Sequence, residues 1–217
     1  PFEVGDSVFC PDRQGNGFIF RENKIHSPGR ILIKAGDGLV EKNTVIDTHS
    51  GVTVCPEIAE NGAFGISNLT IQDNLFRGTG YFCPSWWNTQ SGCISITASG
   101  PGKTLRASGA FRNIIIARNR FEDINGPSMV VTSTQGIRIS DNLFRHVMTI
   151  NPNESGGSYG IDGTALVWLA QTTGIVSSGN RVTSAGPFLQ NKASGSNMPP
   201  DVLERVNSGI KCEKELV

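Results

Sequence analysis

Glu57 is the carboxylate best placed for chemistry. In Val54-Cys55-Pro56-Glu57 it follows directly on the end of an apolar run, so its side chain is expected to project into a cleft. Cleavage of a glycosidic bond uses two carboxyl groups about 5 to 9.5 Å apart, one as acid and the other as base or nucleophile. Asp37 and Asp47 are the neighbouring candidates, but both occupy turn sequences, where aspartate commonly bonds its own backbone. Arg30-Ile31-Leu32-Ile33-Lys34 alternates, so with Ile31 and Ile33 inward the two cations share the outer side of one strand. Thr53 and Cys55 from a neighbouring segment, and Ser95 and Thr97 from the one beyond, are expected to extend that side into a shallow polar stripe. Such a stripe would hold sugar hydroxyls or a carboxylate, or stay solvated. His26 and His49 lie near it, without the spacing of a nucleophilic triad.

A second group is aromatic. Tyr81-Phe82-Cys83-Pro84-Ser85-Trp86-Trp87-Asn88 places two tryptophans side by side in a loop sequence. The flat apolar faces of Trp86 and Trp87 suit the C–H faces of sugar rings, and their polar neighbours can bond to hydroxyls. The alternative is a loop folded back on its own hydrophobic plug. Trp168, within the strand-like run Leu166-Val167-Trp168-Leu169, is expected to pack against a neighbouring loop.

The elements that position these residues are announced by a repeat. Asparagine recurs two residues before a bulky apolar residue, and usually three after another: Phe20-x-x-Asn23-x-Ile25, Val40-x-x-Asn43-x-Val45, Ile71-x-x-Asn74-x-Phe76, Ile116-x-x-Asn119-x-Phe121, Ile139-x-x-Asn142-x-Phe144 and the weaker Asn180-x-Val182. A unit this short cannot bury its own apolar face and must stack on its copies, which predicts a solenoid. The runs before each asparagine alternate (Leu69-Thr70-Ile71, Ile114-Ile115-Ile116), and most copies carry a second apolar run further on. Two short strands per coil, joined by turns rich in Asn, Asp and Gly, predict an all-β right-handed parallel β-helix of about six coils. A leucine-rich-repeat horseshoe is the competing solenoid, but no helical periodicity is sustained between the strands. Stacked copies of asparagine at the ~4.8 Å strand spacing can form an amide ladder. The functional alternative is a ring of ligands for an ion or a sugar.

Successive repeat asparagines are 20, 31, 45, 23 and 38 residues apart. A bare coil takes about 20 to 23 residues, so three gaps hold insertions. These are Cys55 to Ser67, Gly78 to Gly92 together with Ala98 to Arg112, and Thr149 to Thr164. Insertions in repeat proteins commonly emerge on one face and build the binding site. The coils are expected over residues 1–183, with 184–217 as a capping segment in which Met198-Pro-Pro-Asp-Val-Leu-Glu-Arg-Val forms a short helix and the tail a terminal strand.

The 217 residues suffice for one sizeable core, and 26 glycines with 11 prolines fit a turn-dense β fold. Nineteen basic residues balance 19 acidic ones, which argues against nucleic acid or an anionic membrane as the main partner. The five cysteines show no metal-site spacing, and neither a metal nor a cofactor is expected. Cys83 and Cys93 bracket one insertion, which a disulfide would pin if geometry allows. Asn68-Leu-Thr70 and Asn153-Glu-Ser155 match the N-glycosylation sequon and, with the cysteines, lean toward a secreted, extracellular glycoprotein. The sequence opens at Pro1, and Val8, Phe9, Phe18 and Phe20 fall at an open end of the solenoid. An N-terminal fragment or companion chain is expected to cover that end.

Three stretches carry a family resemblance: Gly29-Arg-Ile-Leu-Ile-Lys-Ala-Gly-Asp-Gly-Leu-Val-Glu-Lys-Asn-Thr-Val-Ile-Asp47, Ser50-Gly-Val-Thr-Val-Cys-Pro-Glu57 and Ile66-Ser-Asn-Leu-Thr-Ile-Gln-Asp-Asn-Leu-Phe76. They resemble the C-terminal half of parallel β-helix proteins such as the α-1,3-galactosidases of glycoside hydrolase family 110, over about residues 2 to 145. The resemblance implies a carbohydrate substrate, galactosides first. The family's paired catalytic aspartates belong to a more N-terminal coil, in an Asp-Asp context, and this chain contains no Asp-Asp. Arg30, Lys34 and Glu57 would then supply one wall of a cleft. Three functions are open: a glycoside hydrolase or its C-terminal half, with Glu57 catalytic and Arg30, Lys34, Asp37, His49, Trp86 and Trp87 binding an oligo- or polysaccharide; a polysaccharide lyase using Arg30 or Lys34; and a noncatalytic glycan-binding or structural solenoid.

Overall fold

The computed structural model describes residues 14–55, 65–80, 92–99, 104–150 and 159–213. The first coil comprises β1 (Ile19–Arg21), β2 (Lys24–His26) and β3 (Ile31–Ile33), and the second β4 (Leu39–Glu41), β5 (Thr44–Ile46) and β6 (Val52–Val54). Then follow β7 (Ile66–Gln72), β8 (Leu75–Arg77) and β9 (Ile94–Ile96), and β10 (Phe111–Ala117), β11 (Arg120–Ile124) and β12 (Met129–Thr132). The fifth coil has β13 (Thr134–Ser140), β14 (Leu143–Val147) and β15 (Ala165–Ala170), and the sixth β16 (Thr173–Ser178), β17 (Asn180–Ala185) and β18 (Asn191–Ser196). Helix α1 (Pro200–Ser208) and β19 (Ile210–Cys212) complete the chain.

Each coil contributes one strand to each of three parallel sheets: A (β1-β4-β7-β10-β13-β16), B (β2-β5-β8-β11-β14-β17-β19) and C (β3-β6-β9-β12-β15-β18). This is the expected parallel β-helix, with three strands per coil where two were expected. The overlooked strand is the one after each asparagine, often only three residues long, such as Leu75–Arg77, too short for alternation to register.

The A-to-B corner is short in every coil, and the asparagines explain it. Asn43 Oδ1 accepts from both the backbone N–H and the Nδ2 of Asn23, each at 3.0 Å. The same double bond joins Asn43 to Asn74, Asn74 to Asn119, Asn119 to Asn142 and Asn142 to Asn180 at 2.9–3.1 Å. Each amide nitrogen from Asn43 onward also donates to a carbonyl of the preceding coil, Asn119 to Ile71 O for example. The rungs from Asn43 to Asn180 are no more than 1% exposed, so the ladder satisfies polar groups that burial would otherwise penalise. Immediately before the rungs, Glu22, Lys42, Asp73, Arg118 and Asp141 hold φ between 54° and 58°. A left-handed residue costs about 1 to 2 kcal/mol, a strain the ladder offsets.

Inside, columns of identical register fill the bore. Val45, Phe76, Phe121, Phe144 and Val182 stack in sheet B, with ring centroids 5.3 Å and 4.9 Å apart along the three phenylalanines. Offset stacking of this kind adds to the burial of each ring.

All four expected insertions leave or enter sheet C strands, on the β6–β7, β8–β9, β9–β10 and β14–β15 connections. The outer side of sheet C is consequently covered: Val130 and Trp168 pack with Ile161, Leu105 and Tyr159 from two of those connections. Trp168 thus does what its strand position implied. Beyond residue 183 the solenoid continues, since β18 pairs with β15 and β19 with β17. Helix α1 buries Val206, packs Leu203 against the core, and the Asn207 amide clamps the backbone of Ala193, closing the C-terminal end.

Candidate functional site

The polar stripe expected on Arg30, Leu32 and Lys34 has the right register, Leu32 beside Thr53 beside Ser95, but not the exposure. Thr53 and Ser95 are fully buried, and Cys55 and Thr97 nearly so, because this is the covered side of sheet C. Arg30 and Lys34 instead line a pocket in the first coil with Phe18, Phe20, Ile25, Ile31 and Ile33. Asp37 stands at a different corner with φ +48°, and its Oδ1 accepts from Asn68 Nδ2 of the next coil at 2.7 Å, an inter-coil bond in place of the expected bond to its own backbone. His49 lies in the β5–β6 turn, its backbone N–H bonded to Gly29 O. Glu57, Trp86, Trp87 and Asn153 lie outside the described residues. The bridge between Cys83 and Cys93 does not form: Cys93 is a free thiol, fully buried and 2.8 Å from Thr79 Oγ1. Burial pushes that thiol up to about 12.

The richest constellation among the described residues lies on the outer side of sheet B, where Arg77, Arg120, Arg145 and His146 are exposed. Lys24, Thr44, Leu75, Arg120, Leu143, Arg181 and Lys211 occupy one row, and His26, Ile46, Arg77, Glu122, Arg145 and Ser184 the next. A third column follows at the corner, where Asp47, Gly78, Asp123 and His146 all have φ between 51° and 60°. A Cβ at Gly78 would lie 2.3 Å from Asp47 Oδ1, so any larger residue there would displace the Asp47 carboxylate. The left-handed kink turns Asp123 and His146 outward beside the strand residues preceding them.

These groups line a depression of about 470 Å³ formed by Arg77, Glu122, Asp123, Arg145, His146 and Ser184. Glu122, with a side chain only 8% exposed, accepts from Arg77 Nη2 at 2.6 Å and Nε at 3.1 Å, and from Arg120 Nη2 at 2.5 Å. Bonds from Arg77, reinforced by Arg120 and opposed by burial, hold the Glu122 carboxyl below its ordinary range. It is a fixed anion, unsuited to deliver a proton at neutral pH. His146 Nδ1 lies 2.8 Å from Asp123 Oδ1. That bond assigns the Nδ1 proton toward the carboxylate and leaves Nε2 for a ligand. A matching couple, His26 Nε2 with Asp47 Oδ2 at 3.1 Å, lies at the other end of the face. Arg145 is exposed and makes no hydrogen bond or ion pair with another described residue, while its neighbours Arg77 and Arg120 are engaged.

No cluster of His, Cys, Asp and Glu able to hold a metal occurs among the described residues. The other carboxylates with shifted acidity, Glu41 and Asp162, are also held down. Glu41 owes this first to a bond from Gln72, and in Asp162 bonds from Thr164, Ser194 and Asn191 overcome burial.

Sequence reasoning passed over this site although its signal was present. Counting three residues from each repeat asparagine gives His26, Ile46, Arg77, Glu122 and Arg145; counting four gives Asp47, Gly78, Asp123 and His146. The His–Asp pairs become neighbours only when the chain is aligned coil on coil. Neither a protein-family model nor a curated protein sequence matches the chain.

Proposed function

We propose that this protein binds an extended acidic saccharide along the outer side of sheet B, with the Arg145–His146 depression as its central subsite. The observation that carries this reading is Arg145, the guanidinium of the depression that pairs with no carboxylate among the described residues, beside a histidine already oriented by Asp123. A planar guanidinium suits a carboxylate or sulfate bidentately, and Lys24 continues the face in one direction, while Arg120 and Arg181, paired with Glu122 and Glu213, add further N–H donors along it. Successive strands about 4.8 Å apart offer a chain-like ligand repeated contacts along each row.

One observation supports a catalytic version. A base beside a cation is what β-elimination from a uronate needs. Nε2 of His146 would take the proton from the carbon next to the carboxylate, Arg145 would hold the charge that develops, the carbon–carbon double bond would form as the glycosidic C–O bond breaks, and water would protonate the departing oxygen. Hydrolysis by a carboxylate pair has weaker support, since Glu122 is held ionised and the galactosidase-like resemblance brings no aspartate pair.

A panel of neutral, uronate-containing and sulfated oligosaccharides tests the reading. Binding of the anionic members is expected, weakening as salt rises, with unsaturated ultraviolet-absorbing products from uronates if elimination follows. Preference for neutral galactosides, with release of reducing ends, would replace this reading by hydrolysis.

A further inference from the structure

The outer side of sheet A combines an apolar centre with a charged edge. Register places Ile19, Leu39, Thr70, Ile115, Arg138 and Val176 in one row across its six strands. Alternation turns this row outward, since the adjacent Val40, Ile71, Ile116 and Ile139 are buried. Ile19 is 64% exposed, Ile115 37% and Val176 49%, so three of the five large apolar side chains exposed among the described residues share this row. At the A-to-B corner beside it the left-handed residues run Glu22, Lys42, Asp73, Arg118, Asp141 and Gly179 from coil to coil. Arg118 holds Asp73 through two bonds of 2.8 and 2.9 Å. Lys42 and Asp141 are exposed, and neither side chain forms a hydrogen bond or ion pair with another described residue.

We infer that this face joins two copies of the chain about a two-fold axis that runs parallel to the strands and passes between β7 and β10. Such an axis keeps the strand direction and reverses the order of the coils, so each column meets itself end for end. Lys42 then faces Asp141 of the second copy, Asp73 faces its Arg118, and Glu22 faces its Gly179. The central row matches in the same way, Thr70 against Ile115 and Ile19 against Val176. Arg138, which pairs with no other described residue, meets Leu39 in the coil that carries Asp37 and Glu41. Charge opposes the neighbouring registers. An axis on β7 would set Asp73 against itself and Lys42 against Arg118, and one on β10 would set Arg118 against itself and Asp73 against Asp141. Six strands about 4.8 Å apart, the longest of seven residues, give a face of about 29 Å by 23 Å, on the scale of the ~800 Å² that each partner buries in a standard interface. An apolar centre with a charged rim is ordinary interface anatomy, and the rim charges fix the register. Sheet B stays outside the contact, and the inference does not rest on the saccharide reading.

Sedimentation velocity of the full chain tests this. A dimer is expected, half-formed at or below about 100 µM. Ile115→Asp, at an outward position where the fold should be kept, should abolish it, with the melting temperature as the check on folding. Lys42→Glu and Asp141→Lys should each weaken self-association by about tenfold or more, because each sets like charges together twice across the two-fold. Mixing the two variants should restore a dimer holding one of each, since every facing pair is then opposite in sign. A merely structural role for either residue gives no such rescue. A chain that stays monomeric over that range, a dimer indifferent to Ile115→Asp, or variants that fail to recover on mixing overturn the proposal. A monomer whose melting temperature falls with Ile115→Asp would place another part of the same chain on this face, and overturns it as well.

Discussion

Arg145 and Glu122 stand on adjacent rungs of one row with different surroundings: Glu122 is saturated by two arginines, and Arg145 pairs with no other described residue, which the proposed function assigns to an outside anion. Arg145→Ala should therefore weaken acidic-saccharide binding by about tenfold or more without lowering stability, whereas Arg112→Ala on sheet A should leave binding unchanged; calorimetric titration measures both. Glu122 is the stability counterpart. Its folded carboxyl is more acidic than the unfolded one, near 4.3 in an ordinary glutamate. The stabilisation is accordingly present above the unfolded value and lost as pH falls through the folded one. Glu122→Gln should destabilise by about 1 to 3 kcal/mol at pH 7, a difference that shrinks as denaturation is repeated down the acid range; a pH-independent difference would contradict it. Cys93, fully buried with its thiol pushed up to about 12, should resist thiol reagents until global unfolding, whereas the part-exposed Cys212 reacts in the native state. Mass spectrometry of brief labelling distinguishes the two.

The asparagine corner is the element on which the fold depends. An inner rung satisfies the backbone and side-chain donors of one neighbour and a carbonyl of the coil before it. Asn119→Ala strands all of these in a buried site and should cost about 3 kcal/mol or more. Asn23→Ala, at the exposed end, should cost under about 1 kcal/mol; equal costs in urea melts would refute the account of the ladder. The ladder and inward columns were legible in sequence because each coil repeats Asn with Ile or Phe at fixed offsets, and stacking turns such offsets into contacts. Burial of Thr53 and Ser95 beside the exposed Leu32 was not, because period 2 names a strand's sides without saying what covers them. The His146–Asp123 couple was hidden for another reason. Its members are 23 residues apart in sequence and adjacent only through the register of β11 and β14.

At the scale of the molecule the three sheets divide the labour. Sheet C strands begin or end the long connections, and Leu105, Tyr159 and Ile161 from two of these cover Val130 and Trp168 on its outer side, while sheet A joins sheet B through short ladder corners. The outer side of sheet B exposes Arg77, Arg120, Arg145 and His146. Sequence gaps located the insertions, whose Glu57, Trp86 and Trp87 lie outside the described residues, while the best-developed polar constellation among the described residues stands on sheet B. Amide hydrogen exchange of the chain with and without a uronate oligosaccharide tests this division most directly. The account predicts added protection in β8, β11 and β14, around Arg77, Glu122 and Arg145, and none in β10 and β13 of sheet A. Protection confined to the sheet C connections, with β11 and β14 unchanged, would contradict it.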